Sequence, residues 1–362
     1  MSSKTTNKTF KIASHDVGPG NPVFVIAEIG MAHDGSLGNA HAYIDAVARS
    51  GAQAIKFQTH IASAESTPGE PFRVNFSYQD ATRYDYWKRL EFTPEEWFGL
   101  KKHADEAGLI FLSTPFSFEA VDLLSNLGVP AYKIASGETT NLPMIDAIAK
   151  RGLPVLISTG MSSWSELDEA VSTVRKHHDD IGIFQCTSAY PCPPENVGLN
   201  VISGLKDRYD YPIGLSDHSG MPHASIAACT LGAAMIEIHT VFSRDCFGPD
   251  VGASILLDDL PSLVEGCQFV QRAITNPIDK DAMSESMQEM KTLFGKSLYL
   301  ACNVQKGVQI KASDLGLKKP AKGILARDFE TVIGMTTSRD LMTGDALQWG
   351  DLEEAEKNEN TR

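Results

Sequence analysis

Eight short apolar runs alternate with amphipathic stretches along most of the chain. In the stretches between them, apolar residues recur at i, i+3, i+4 and i+7, which is the period of a helix. Continuous apolar runs separated by helices predict a parallel sheet covered by helices, because both faces of such strands are buried. The runs begin at Val23, Ala54, Leu109, Ala131, Pro154, Ile181, Pro212 and Met235.

The number of these units favours a closed (β/α)8 TIM barrel, since eight strand–helix units in about 250 residues is the size of that fold. An open, doubly wound sheet is the alternative. However, no GxGxxG motif follows the first run, as it would in a dinucleotide-binding fold of that kind. Only one connection is long. It spans residues 62–92, and its polar and aromatic residues predict a loop that covers a substrate.

The sequence pattern changes after residue 275, where the predicted barrel domain of residues 21–275 ends. Residues 276–294 read as a polar linker with a helical piece, and residues 295–352 contain short strands with Lys-Gly and Thr-Gly-Asp turns. That pattern is typical of a small, mostly β domain. The remaining residues are an N-terminal extension, 1–20, and a charged tail, 353–362, that we expect to be disordered.

The net charge of −14 argues against nucleic acid or an anionic membrane as the main partner, because both need a basic surface. An anionic small molecule stays possible if local lysines or arginines form a pocket. The chain has no apolar run of about 18 residues and no signal-like start, so we expect a cytoplasmic protein. The six cysteines have no CxxC spacing, which predicts reduced thiols.

Polar side chains collect at the ends of the eight runs, where a barrel enzyme carries its catalytic groups. A lysine inside an apolar strand is costly unless it is paired or functional, and both Lys56 and Lys133 are in that position. Either lysine alone could be the structural partner of a carboxylate. Two lysines with hydroxyls beside them predict a site for phosphate or carboxylate. The other run-end groups include Glu28, Gln58, Ser136, Glu138, Ser158, Thr187, Ser188, Asp217, Glu237 and His239.

The stretch Ser216-Asp217-His218 allows more than one interpretation. A hydrolase triad needs a serine on a sharp nucleophile turn, and no GxSxG motif is present there. His218 and His239, on adjacent runs, could instead share one metal ion through neutral imidazoles, although a lone strand histidine is often structural. Ser216 and His218 would share one face of a strand, with Asp217 on the other.

Seven sequence motifs together indicate a resemblance to a known family. FVIAEIGMAHDG, GAQAIKFQT, YKIASGE, ISTGM, CTSAYP, IGLSDHSG and the later HTV…GPD resemble the sialic acid (N-acetylneuraminate) synthase family in order and spacing. The segment from Ser297 resembles that family's small SAF domain, an antifreeze-like β-clip. The resemblance implies a (β/α)8 barrel that condenses phosphoenolpyruvate with an N-acylated amino sugar. The products would be phosphate and a nine-carbon 2-keto sugar acid. It also implies a divalent cation, Mn²⁺ or Mg²⁺, and a domain-swapped homodimer.

The resemblance also implies roles for individual residues. His218 and His239 would be the metal ligands, and Glu28 would be the carboxylate near the reacting carbons. Glu138 would be a second catalytic carboxylate that lines the site. Tyr190 and Ser188 would contact substrate, and Ser188 stands where some members have asparagine. The phosphoenolpyruvate ligands would be Lys56, Lys133, Ser136, Ser158 and Ser216.

Two departures from the family pattern concern the sugar half of the site. Ala32-His33-Asp34-Gly35 replaces the usual NHxG. Lys319 replaces the arginine of a KRPG-like motif that reaches the acyl group of the sugar. Lysine is a point donor rather than a planar fork, so it would bind an acyl carbonyl differently. N-acetylmannosamine is the default acceptor, and a 2,4-diacetamido-6-deoxy hexose, as in legionaminic or pseudaminic acid synthesis, is the alternative.

Three other classes of protein remain as rivals. The first is a non-catalytic binding protein built on the SAF module. The second is a metal-dependent hydrolase that uses His218 and His239, although such sites usually need further protein ligands. The third is a synthase of another 2-keto-3-deoxy sugar acid, which would lack the SAF domain.

Overall fold

The computed structural model describes residues 8–72 and 74–354. The chain divides into two compact units, Met1–Asn276 and Pro277–Arg362. Residues 1–7 of the predicted extension and residues 355–362 of the predicted tail lie outside the described residues. In the described part, no helix has the length and apolar character needed to cross a membrane.

Eight parallel strands form a nearly closed barrel in the first unit. The first strand, Phe24–Gly30, pairs with both the second, Ala54–Thr59, and the eighth, Met235–Val241, and the ladder continues from these two in chain order to the third strand on one side and back to the fourth on the other. A doubly wound sheet would reverse its strand order at a switch point, whereas here consecutive strands follow one another around the barrel. The barrel prediction is therefore confirmed. The strands are β1 Phe24–Gly30, β2 Ala54–Thr59, β3 Ile110–Pro115, β4 Tyr132–Ile134, β5 Val155–Ser158, β6 Ile181–Cys186, β7 Ile213–Asp217 and β8 Met235–Val241.

Each barrel strand is followed by a helix. Capping residues begin several of these helices: Thr93 and Glu96 form a reciprocal capping box at the start of the helix Pro94–Glu106, and Pro94 occupies its first turn. Gly128, with φ of 72°, ends the helix Phe118–Leu127 in the left-handed conformation that glycine adopts without strain. The helices are α1 Leu37–Ala48, α2 Pro94–Glu106, α3 Phe118–Leu127, α4 Leu142–Ala149, α5 Trp164–Arg175, α6 Leu199–Arg208, α7 His223–Thr230 and α8 Leu260–Thr275.

Smaller elements complete the first unit. An antiparallel hairpin of Phe10–Ile12 and His15–Val17 precedes β1. Two short helices, Ala62–Glu65 and Arg83–Leu90, lie in the long connection between β2 and α2. A short strand, Ile255–Leu256, pairs with the end of β8.

The barrel has two apolar layers. Outward-facing strand residues such as Ile55 and Ile157 pack against the helices. A second cluster fills the barrel interior and includes Phe24, Ile26 and Leu156, together with Phe10 of the hairpin. Because this cluster occupies the N-terminal half of the interior, space for polar groups is left only at the C-terminal end of the strands.

The second unit has its own apolar core. Two short antiparallel pairs, Ser297–Leu300 with Leu315–Lys318 and Thr336–Thr337 with Leu352–Glu353, surround this core. The segment predicted as a linker contains two helices, Lys280–Ser286 and Gln288–Phe294, and a four-residue helix, Phe329–Val332, follows later. Members of the core include Leu298, Leu300, Ile310, Ile324, Val332, Leu341 and Leu347.

Candidate active site

Inward-facing side chains change from apolar to polar along each barrel strand. On β1, Phe24 and Ile26 are followed by Glu28, and on β8, Met235 is followed by Glu237 and His239. Since parallel strands all end at one rim, the polar groups meet there. The same alternation buries Lys56, Lys133, Ser158, Ser216 and His218 at this rim, each at most 4% exposed.

Lys56 is paired with two carboxylates. Its Nζ donates to Oε1 of Glu28 at 2.6 Å and to Oγ1 of Thr114 at 3.1 Å. It also lies 3.8 Å from Oε2 of Glu237. Burial alone would lower the pKa of Lys56, but the charges of Glu237 and Glu28 more than offset this and raise it. The side chain is therefore a buried ammonium group.

Glu28 is the matching buried anion. Burial raises its pKa, but the charges of Lys56, His239 and Lys133 outweigh burial and hold the pKa well below the ordinary value. Gln58 Nε2 also donates to Oε1 of Glu28, at 2.9 Å. Glu28 therefore stays ionised and accepts hydrogen bonds at the pH at which enzymes work.

Glu237 connects the second lysine to the rim. Lys133 Nζ donates to Oγ of Ser158 at 2.6 Å and to Oε1 of Glu237 at 3.0 Å. Ser216 Oγ donates to the same carboxylate oxygen at 3.0 Å. The other oxygen, Oε2, is buried and has no hydrogen-bond partner among the described residues. Glu237 thus links Lys133 and Ser216 and leaves one polar atom facing the site.

A glycine makes room for two of the predicted hydroxyls. Gly160 N donates to Oγ of Ser136 at 3.0 Å. A Cβ at Gly160 would lie 2.5 Å from Oγ of Ser188 and 2.6 Å from Oγ of Ser136. Contacts this short do not occur, so any side chain here would displace both hydroxyls. The glycine of ISTGM therefore allows Ser136 and Ser188 to face the same small space.

The two histidines lie side by side beneath an aromatic ring. The ring centroids of His218 and His239 are 5.4 Å apart, and Tyr190 stacks on His218 at 4.1 Å. His218 Nδ1 lies 2.8 Å from the carbonyl oxygen of Thr187, which leaves Nε2 for a ligand. Burial alone would lower the pKa of His218, but Cys186, the Thr187 carbonyl and Glu28 raise it to about 9.

The two histidines fit a cation whose remaining ligands are not protein side chains. The hydrogen bond to Thr187 fixes the ring orientation of His218, as metal-binding histidines generally require. His239 Nε2 lies 3.6 Å from Oε2 of Glu28. Among residues 8–72 and 74–354, no group of three or more His, Cys, Asp or Glu side chains could hold a metal ion. Water or substrate would have to supply the other ligands.

Ser216, Asp217 and His218 do not form a hydrolase triad. Ser216 donates to Glu237 rather than to a histidine. Asp217 lies on the other face of β7, where it accepts from Oγ of Ser225 and from the backbone N–H of Ser219, both at 2.8 Å. The aspartate anchors the loop after β7 and does not orient an imidazole.

One predicted site residue is not brought into this cluster, and another belongs to the second unit. Glu138 ends a short 3-10 turn, Ser136–Glu138, and accepts from Nδ2 of Asn141 at 2.8 Å, so it supports the start of α4. It is not among the cavity-lining residues. Lys319 belongs to the second unit, where its exposed ammonium group lies 5.5 Å from the centroid of the Phe294 ring.

A larger cavity of about 480 Å³ opens beside the buried cluster and shares Gln58, Ser136 and Tyr190 with it. The long connection between β2 and α2 supplies much of its wall, as the aromatic content of that connection predicts. Sequence reasoning did not single out His60, Arg83 or Asp250 as site residues. The wall includes Met31, His60, Phe72, Phe76, Arg83, Trp87, Phe116, Met161 and Asp250.

Comparison with known proteins finds a family match for each of the two units. Residues 43–279 match the NeuB family, and residues 295–353 match the SAF domain. The chain is 35% identical to the N,N'-diacetyllegionaminic acid synthase of Campylobacter jejuni, over 87% of this chain and 96% of that protein. It is 32% identical to human N-acetylneuraminate-9-phosphate synthase, over 87% of this chain and 84% of that protein.

A solved structure agrees with these sequence matches. The N-acetylneuraminic acid synthetase of Leptospira borgpetersenii, in complex with citrate, superposes with a TM-score of 0.70 at 30% identity. The match covers 78% of this chain and 96% of that one.

Proposed function

Because the chain belongs to the NeuB family and is a synthase of the sialic acid type, we propose that it condenses phosphoenolpyruvate with an N-acyl amino sugar. The products are phosphate and a nine-carbon 2-keto sugar acid. One observation carries the proposal. Two buried lysines, their hydroxyl partners and two adjacent histidines line one small pocket that adjoins a cavity of about 480 Å³.

The buried cluster suits a small molecule with several negative charges. Lys56, Lys133 and the hydroxyls of Ser158 and Ser216 are donors for phosphate and carboxylate oxygens. Ser136 and Ser188, which face each other across Gly160, add two more donors. In the protein alone, the lysines are balanced by Glu28 and Glu237. Phosphoenolpyruvate would therefore need additional positive charge in the site.

A divalent cation, Mn²⁺ or Mg²⁺, held by His218 and His239 would supply that charge. When bound, it would act as a Lewis acid that polarises the aldehyde oxygen of the open-chain sugar. Tyr190, stacked on His218, shields the imidazole from water. The contact of Nδ1 with the carbonyl of Thr187 fixes the His218 ring, so that Nε2 would be the atom that holds the ion.

Glu28 would act on the other reactant. As carbon 3 of phosphoenolpyruvate bonds to the aldehyde carbon, positive charge develops at carbon 2. The ionised carboxylate of Glu28 stabilises that charge and orients the water that adds to carbon 2. One proton of that water ends on the former aldehyde oxygen, which becomes a hydroxyl group, and the other leaves with phosphate. The bond between carbon 2 and the phosphate oxygen breaks as the carbon 2 carbonyl forms, and phosphate leaves toward Lys56 and Lys133.

The larger cavity is the proposed place of the acceptor sugar. Arg83 is the arginine among the described wall residues, and it is paired with Glu70 at 3.2 Å and stacks on Trp87. Among the described wall residues, no unpaired cation is therefore offered to a sugar phosphate, and Asp250 would repel one. N-acetylmannosamine is the default acceptor. The aromatic wall equally suits a 2,4-diacetamido-6-deoxy hexose, which has fewer hydroxyl groups.

The assembly is part of the same proposal. We propose a domain-swapped homodimer in which Lys319 binds the acyl carbonyl of the acceptor. A Lys319→Ala variant should then raise the KM for the acceptor and leave the KM for phosphoenolpyruvate unchanged. Light scattering of the wild-type protein tests the dimer independently.

The direct test is phosphate release from phosphoenolpyruvate by metal-stripped protein to which Mn²⁺ has been restored. The acceptors are N-acetylmannosamine, its 6-phosphate, a 2,4-diacetamido-6-deoxy hexose and arabinose 5-phosphate. Release that needs both the metal and one unphosphorylated N-acyl sugar supports the proposal and identifies the acceptor. Release with arabinose 5-phosphate alone, or with no acceptor in the panel, contradicts it.

A further inference from the structure

His60 is held between two aromatic rings just beyond the end of β2. Its ring stacks on Phe116 at a centroid distance of 4.2 Å and an interplanar angle of 11°, and on Trp87 at 4.8 Å and 13°. The side chain is 8% exposed. Because both faces are covered by nearly parallel rings, the imidazole can present its nitrogens only in the plane between them.

A continuous chain of hydrogen bonds runs through this ring to Glu28. His60 Nδ1 lies 2.7 Å from Oε1 of Glu65, and Nε2 lies 3.2 Å from Oε1 of Gln58. The amide nitrogen of Gln58 then donates to Oε1 of Glu28 at 2.9 Å. Four side chains thus connect the wall of the larger cavity to the buried carboxylate.

The chemistry of the partners fixes the direction of each bond. Gln58 donates to Glu28 through its NH₂ group, so its amide oxygen is the atom left for His60. The amide oxygen of Gln58 then faces His60, whose Nε2 must carry a hydrogen. This holds whether the proton shared between Glu65 and Nδ1 lies on the carboxylate or on the ring.

We propose that His60 is a positioning residue that holds Glu28 in its reactive orientation through the side-chain amide of Gln58. A side-chain amide has two orientations related by a flip, and only one of them offers a donor to Glu28. The Nε2 hydrogen of His60 selects that orientation. The inference rests on the proposed function because it takes Glu28 to face the reacting carbons.

The test uses His60→Phe, since a phenyl ring keeps the stacking on Trp87 and Phe116 and removes both hydrogen bonds. We expect kcat to fall about tenfold, with the KM for phosphoenolpyruvate within about twofold of wild type. Gln58→Met should cause a similar loss. If His60 acts through Gln58, the double variant should be no slower than Gln58→Met alone.

A matched control is His103→Phe, which removes a partly buried histidine paired with Asp45 on the outside of the barrel. This variant should keep wild-type kcat and KM. An unchanged kcat in His60→Phe, or losses that multiply in the double variant, would overturn the inference.

A second readout does not depend on turnover. In the ¹⁵N–¹H spectrum, the side-chain NH₂ of Gln58 is identified by its loss in Gln58→Met. Its hydrogens should exchange slowly with water in the wild type and much faster in His60→Phe. Equal exchange in both proteins would overturn the inference even if the wild type proved inactive with every acceptor. Such inactivity would count against the proposed function alone.

Discussion

Lys56 and Glu28 lie directly opposite each other on neighbouring barrel strands, with Nζ 2.6 Å from Oε1. Both side chains are almost fully buried, so neither charge is stabilised by water. Each helps to keep the other ionised, and removal of either one would deprive a buried charge of its nearest partner. The pair therefore keeps a carboxylate and an ammonium group charged beside the small space where phosphoenolpyruvate is proposed to bind.

Replacement of this carboxylate should stop the reaction. In Glu28→Gln the side chain keeps its shape but loses the charge that would stabilise carbon 2, so we expect kcat to fall by at least about 100-fold. Mn²⁺ binding, followed by calorimetry, should be retained because His218 and His239 are untouched. Asp146→Asn, which removes a carboxylate on the outside of the barrel, is the matched control. Near-normal turnover in Glu28→Gln would refute the role of Glu28.

Replacement of Lys133 should weaken the binding of phosphoenolpyruvate. Lys133→Met removes a donor to the anion and leaves Glu237 with Ser216 as its nearest partner. Hydrogen bonds to charged groups typically contribute enough that we expect the KM for phosphoenolpyruvate to rise about tenfold or more. Lys150→Met, which breaks an ion pair with Asp146 at the surface, should leave it unchanged. An unaltered KM in Lys133→Met would mean that Lys133 is only the structural partner of Glu237.

Gly160 offers a test of whether the hydroxyl groups of Ser136 and Ser188 bind phosphoenolpyruvate. The added methyl group of Gly160→Ala would displace Ser136 and Ser188, so the KM for phosphoenolpyruvate should rise while the melting temperature changes little. Gly99→Ala is the control because its Cβ would meet no atom within 4 Å. Gly99 lies inside α2, where alanine is the better helix former, so that variant should be as stable as wild type or more so. Equal kinetics of the two variants would contradict a role for these two hydroxyl groups in binding phosphoenolpyruvate.

Metal binding should strengthen as the pH rises. A proton on His218 competes with the ion, and its pKa is raised to about 9, so the competition weakens as pH approaches that value and ends above it. The apparent affinity for Mn²⁺ should therefore increase by up to about tenfold per pH unit between about pH 6 and pH 9. His218→Ala should abolish the binding. His177→Ala, at the surface, should preserve both the affinity and its pH dependence. A pH-independent affinity would exclude His218 as a ligand.

Much of the site could be predicted because a barrel strand has a simple periodicity. Residues two apart share a face, so the apolar row that fills the barrel interior leads directly to the polar group at the rim. Lys56 and Lys133 could be recognised because a lysine in an apolar strand is costly. The same periodicity extends past the end of β2 to His60, since Ala54, Lys56, Gln58 and His60 are each two residues apart.

Other features depend on contacts that no local pattern contains. Glu237 meets Lys133 across the barrel interior, from β8 to β4, at a separation of 104 residues. Only closure of the barrel brings them together. Glu138 lies two residues after the KIAS stretch, yet a single turn of 3-10 helix directs it to Asn141 rather than into the site. The chain direction after a strand is set by that turn, which sequence motifs do not encode.

The most direct test of the account is the fate of the bridging oxygen of phosphoenolpyruvate. Substrate labelled with ¹⁸O between carbon 2 and phosphorus would be given to the Mn²⁺-loaded protein with the acceptor that supports turnover. Condensation breaks the bond between carbon 2 and that oxygen, so we predict that the label leaves in phosphate and that release requires the acceptor. Label retained in pyruvate, with phosphate released in the absence of any sugar, would identify a phosphatase and contradict the account.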